Sequence, residues 1–90
     1  MELICLHCFV SGRVQGVFFR RHAKAEADAL GLKGWARNLS DGRVELMVCG
    51  EAEKVNRMQA WVWKGPDAAE VSAVETEVKP YEVFSSFEVN

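Results

Sequence analysis

An α+β fold, with one sheet carrying two helices on the same face, is what this 90-residue sequence predicts. Three observations predict it. Strand-like and helix-like stretches follow one another in the order β-α-β-β-α-β. A strong hairpin signal, Asp41-Gly42, falls between the second and third strands. The chain is just long enough for one hydrophobic core, so a single domain spanning residues 1–90 is expected.

Each element has its own signal. Leu3 to Val10 is a mostly apolar run with β-branched and aromatic members, as in a largely buried strand. Ser11 to Val17 is a loop with glycines at 12 and 16. A helix begins at Phe18 or Phe19, with Phe19, Ala23, Ala27 and Leu30 on one face and Gly31 as its stop. Leu32 to Asn38 reads as a second strand anchored by Trp35, and Val44, Leu46 and Val48 alternate in a third. A second helix runs from about Glu51 to Lys64, with Val55, Met58 and Val62 inward; acidic residues at its start and Lys64 at its end suit the helix dipole. Trp61 is expected beside Met58, and Trp63 on the more exposed side. Gly65-Pro66 ends the helix, Val71 to Lys79 makes a fourth strand, and Phe84 to Val89 is a short fifth strand or a tail.

This order is the split βαβ, ferredoxin-like pattern, a two-layer sandwich with an antiparallel sheet and an additional short C-terminal strand. A right-handed crossover makes strands one and two parallel, and strand three lies between them. The ends of strands one and two then meet at one edge, which brings the glycine loop and Asn38 together. The same topology sets Cys5 beside Cys49. Three thiols in a reducing compartment read as small buried side chains, and a Cys5–Cys49 disulfide is the alternative. Zinc is not expected, because Cys49 does not complete a four-ligand set with Cys5, His7 and Cys8 on an extended strand.

The composition is that of an ordinary globular protein, 49% apolar and 27% charged. A net charge of -2 gives no general attraction to nucleic acid or anionic membrane, so neither is expected as a partner and any anion site must come from local geometry. No apolar run is long enough to span a bilayer. The opening Met1-Glu2-Leu3-Ile4 lacks a signal peptide's basic flank and long apolar stretch. The expectation is a cytoplasmic monomer.

Two segments carry chemistry. In Gly12-Arg13-Val14-Gln15-Gly16-Val17-Phe18-Phe19-Arg20 a strand leads into a tight loop and a helix leads out. The glycines let backbone N–H groups converge, and the helix start adds donors that lack a partner, so the segment can cradle an anion. Arg20, in the first helical turn, opposes the helix dipole by about 0.3–1 kcal/mol, a mismatch that an anion would relieve. The loop is neither a Walker loop nor a dinucleotide fingerprint. In Gly34-Trp35-Ala36-Arg37-Asn38 to Asp41-Gly42, Asn38 closes a strand just before the hairpin, and its carboxamide offers a donor and an acceptor that can hold a water. Taken singly, each reads as an ordinary turn. Their meeting at one edge of the sheet is what makes a site.

Val10-Ser11-Gly12-Arg13-Val14-Gln15-Gly16-Val17-Phe18-Phe19-Arg20 resembles the acylphosphatase signature V-x-G-x-V-Q-G-V-x-F-R, and Gly34 to Gly50 resembles that family's second signature. The likeness runs from about Cys5 to the chain end without departure at a motif position. It implies hydrolysis of a small acyl phosphate to carboxylate and phosphate, with no metal, no cofactor and no covalent enzyme intermediate. It implies that Arg20 and the amides of Gln15, Gly16, Val17, Phe18, Phe19 and Arg20 bind the phosphate, that Asn38 positions water, and that inorganic phosphate or sulfate is a ligand. His22 is expected on the surface and His7 in a structural role. Two other readings of the fold carry less. An RNA-binding module needs exposed aromatics on the central strands in a basic surround; strand one offers Phe9, strand three offers none, and the net charge is acidic. A phosphate-binding part of a larger carbamoyl-phosphate-processing enzyme would need a separate partner.

Overall fold

The computed structural model describes all residues, Met1 to Asn90. Strand β1 (Leu3–Arg13) leads to helix α1 (Phe19–Ala29), then β2 (Lys33–Asn38), β3 (Val44–Glu51), helix α2 (Ala52–Lys64), β4 (Glu70–Pro80) and β5 (Phe87–Val89). The strands lie in the order β4-β1-β3-β2-β5. β3 is antiparallel to both β1 and β2, and Val44 is the register partner of Val10 on one side and Asn38 on the other. The ends of β1 and β2 therefore share one edge, as the crossover rule requires.

Alternation along each strand decides which face is wet. Leu6, Cys8 and Val10 of β1, with Val44, Leu46 and Val48 of β3, point under the helices. They meet Phe19, Ala23 and Ala27 of α1 and Val55, Met58 and Val62 of α2, all essentially without exposure. Trp61 is partly buried on the same core, with its ring 5.4 Å from that of Phe19, and Trp63 is exposed. No helix is long and apolar enough to cross a membrane.

Two details differ from the sequence reading. β1 continues three residues past Val10, because β4 keeps pairing with it through a register shift at Ser11/Gly12. Gly12 is required there: a Cβ would lie 2.2 Å from the carbonyl oxygen of Glu70. The sheet is antiparallel across four strands only. The last segment is a true strand, and β5 joins the far edge parallel to β2, pairing Gly34 with Phe87 and Ala36 with Val89. After β4 the chain crosses to the opposite edge and re-enters in the direction of β2, and burial of Phe87 anchors it.

The open face carries a cross-link and an ion cluster beside the aromatic rings of Phe9 and Trp35. Cys5 and Cys49 are register partners, joined there as a disulfide with Cα atoms 4.0 Å apart, so they are not the free buried thiols that the sequence reading favoured. Cys8 is free and buried in the core, and burial pushes its thiol up to about 12, so it stays protonated. Glu45, only 5% exposed, accepts from Arg37 Nε at 2.5 Å and lies 2.6 Å from His7 Nε2. Burial pushes the Glu45 carboxyl up, but the hydrogen bonds of His7 and Arg37 outweigh it, and the group titrates below its ordinary value. A depressed carboxylate stabilises the fold above the ordinary range, and that contribution is lost as pH falls through the lowered pKa. Glu45→Gln should therefore cost about 1–3 kcal/mol at neutral pH. The difference from wild type should shrink on acidification, as read from urea unfolding at neutral and at acid pH.

Candidate active site

The loop between β1 and α1 is built to expose main-chain donors. Gly16 is left-handed, with φ 74°, and so is Phe18, with φ 61° and ψ 28°. For a phenylalanine this conformation costs about 1–2 kcal/mol. The alternation turns successive N–H groups toward one side, forming a concave nest. The amides of Gln15, Gly16, Val17 and Phe18 donate to no acceptor in the protein. Those of Phe19 and Arg20 open α1, where no i−4 carbonyl is available. No side chain caps this helix and no acidic residue stands in its first turn, so the positive end of the dipole is uncompensated.

Arg20 is the second residue of α1, and its Nη1 donates to the main-chain oxygen of Asn90, just beyond β5. Asn38 ends β2, is exposed, and its carboxamide engages no protein group. One cleft of about 510 Å³ holds these parts together, lined by Gln15, Gly16, Phe18, Phe19, Arg20 and Asn38, with Val14, Arg21 and Val89 completing it. It contains two guanidinium groups and no carboxylate or imidazole side chain.

Five of the six expected cradle residues and Asn38 thus share this cleft. The exception is Val17, whose side chain is buried and which borders a neighbouring hollow between α1 and the end of α2. His22 is exposed at that second hollow, with Nδ1 2.9 Å from the carbonyl oxygen of Phe18. His7 lies on the open face of the sheet, paired with Glu45. Cys5 and Cys49 sit at the opposite end of β1 and β3.

Two contributors escaped the sequence reading. One is the side chain of Gln15, whose Nε2 donates to the carbonyls of Leu39 at 2.8 Å and Arg43 at 2.9 Å. These bonds staple the cradle to the hairpin that follows Asn38. Sequence shows a polar residue in a loop, but not which way it turns. The other is the Asn90 oxygen on Arg20, a contact between residues 70 positions apart. Gln15→Glu keeps the shape of the side chain and replaces a double donor by an acceptor facing two carbonyls. It should lower stability by about 1–3 kcal/mol, read by thermal unfolding. It should also lower kcat/KM with benzoyl phosphate, because the cradle loses its fixed distance to Asn38.

Comparison with known proteins agrees with this geometry. The acylphosphatase family model matches residues 6–89. An acylphosphatase of Pseudomonas paraeruginosa is 51% identical over 87 residues, covering 97% of this chain and 96% of that relative. The solved acylphosphatase of Coxiella burnetii superposes with a TM-score of 0.95 at 45% identity, covering 99% of this chain and 94% of that one. The Bacillus subtilis acylphosphatase structure gives 0.93 at 31% identity, with 99% of both chains covered. With the motifs, the fold and the cleft all in register, the chain belongs to the acylphosphatase family, hydrolases that split the carboxyl–phosphate bond of acyl phosphates.

Proposed function

We propose that Arg20 and the amides from Gln15 to Arg20 hold the phosphoryl group of a small acyl phosphate while Asn38 holds the attacking water. The supporting observation is a run of unused N–H donors, with a guanidinium beside them, in the same cleft as an unengaged carboxamide.

An acyl phosphate already carries a good leaving group, so the task is positioning and charge stabilisation. Cradle amides and Arg20 spread the charge of the three equatorial phosphoryl oxygens. The Asn90 oxygen steers Arg20, whose planar donor fork binds an oxyanion only when correctly turned. A water donates to Asn38 Oδ1, which aims its lone pair at phosphorus in line with the departing carboxylate. With no His, Asp or Glu among the lining residues, the substrate's own oxygens take the water's proton. The products are a carboxylate and inorganic phosphate. In this reading the cation role falls to Arg20, and no metal or covalent intermediate enters. Inorganic phosphate or sulfate competes for the cradle.

Arg20→Gln should cost about 10²–10³ in kcat/KM with benzoyl phosphate, with the far-ultraviolet circular dichroism unchanged. Wild-type turnover in that variant rejects the role of Arg20. Asn38→Ala should reduce kcat to near background yet bind inorganic phosphate as wild type does in calorimetry. Lost phosphate binding there would reassign Asn38 to the anion itself. Excess EDTA should leave turnover unchanged, and activity that disappears and returns with a divalent cation would sink the metal-free reading.

A further inference from the structure

The cleft is larger and more positive than a phosphoryl group requires. A volume of about 510 Å³ lies in the range that encloses drug-sized ligands, and the cradle with Arg20 occupies only one part of it. An acyl group leaving the cradle must run along the remaining wall, formed by Val14, Phe18, Val89 and Arg21. Three of those four are apolar, and the fourth is a cation.

Arg21 stacks on an aromatic ring. Its guanidinium lies 5.3 Å from the centre of the Phe18 ring, which is 64% exposed. Arg37, Arg43 and Arg57 each pair with a carboxylate, and Arg20 is bound by the Asn90 oxygen. Arg21 pairs with no carboxylate and hydrogen-bonds to no other group, and no acidic side chain lines the cleft to neutralise it. A stacked guanidinium keeps its edge donors free, because stacking uses only its face.

We propose that Arg21 is a specificity-determining residue for acyl phosphates whose acyl group carries a second negative charge, such as the monophosphate of a dicarboxylic acid, whose free carboxylate it binds. This rests on the assignment of the phosphoryl group to the loop amides and Arg20. The exposed apolar surfaces of Phe18 and Val89 accept the carbon body, and the Arg21 fork meets the second carboxylate. Exposure to solvent keeps the gain moderate and dependent on ionic strength.

Benzoyl phosphate and 4-carboxybenzoyl phosphate test it, since they differ only by the para carboxylate and the rigid ring prevents internal cyclisation. Wild type should turn over the carboxylated substrate with about two- to fivefold higher kcat/KM at low salt, through KM, and added sodium chloride should erode the preference. Arg21→Gln should abolish the preference while changing benzoyl phosphate turnover less than about threefold, and Arg21→Lys should retain part of it. Equal losses on both substrates would place Arg21 with the phosphoryl group and overturn the proposal. So would a wild-type enzyme that hydrolyses both without preference. Hydrolysis of neither substrate would overturn the phosphoryl assignment and this proposal with it.

Discussion

One backbone register carries the site: Val44 of β3 is the partner of Val10 in β1 and of Asn38 in β2. The right-handed crossover from β1 through α1 makes β1 and β2 run the same way, and β3 fills the gap between them. The loop after β1 and the carboxamide at the end of β2 are thereby fixed two strands apart at one edge. A slip of one residue in β3 would put Glu45 under the helices and Leu46 into water, so burial of Val44, Leu46 and Val48 enforces the register. The same energy that makes the core also sets the spacing of the candidate active site.

Register alone brings the parts near, and local contacts set their orientation. Gln15 ties the cradle to the carbonyls of Leu39 and Arg43 on both sides of the hairpin turn. β5 runs parallel to β2 and delivers the Asn90 oxygen to Arg20. On the opposite face Glu45 binds Arg37, the residue before Asn38, and His7, which holds the end of β2 from below. All of these contacts except Glu45–Arg37 join segments far apart in the chain, so the site is assembled only when the sheet is complete.

What the sequence made legible was whatever has a short-range or periodic signal. The two helices follow from apolar spacing, the hairpin from Asp41-Gly42, and the cradle from Gly12, Gly16 and Arg20, each with a physical reason attached to the residue type. The meeting of Arg20 and Asn38 needed only a topological rule. The parallel pairing of β5 was hidden because three residues carry too little pattern to define a partner or a direction. The Gln15 staple depends on side-chain direction in an irregular loop, and the Arg20–Asn90 contact spans nearly the whole chain. Phe18 was unreadable for a different reason, since left-handed backbone is advertised by glycine or asparagine and not by an aromatic residue.

The distribution of charge explains how a chain with net charge -2 can attract a dianion. Elsewhere several cations are matched: Arg37 and His7 by Glu45, Arg43 by Asp41, Arg57 by Glu53, Lys79 by Glu77, and Lys24 by Asp28. At the cleft the pattern reverses. Arg20 faces it with no carboxylate among its lining residues, and the uncapped start of α1 adds partial positive charge from the same direction. Beyond a Debye length of about 8–10 Å the surplus acidic residues are screened, so an approaching anion responds to the local balance and not to the total. Moving one acidic residue into the first turn of α1 would leave the core intact and improve the helix as a helix. The helix lacks that residue, so its positive end remains open to an anion in the cleft.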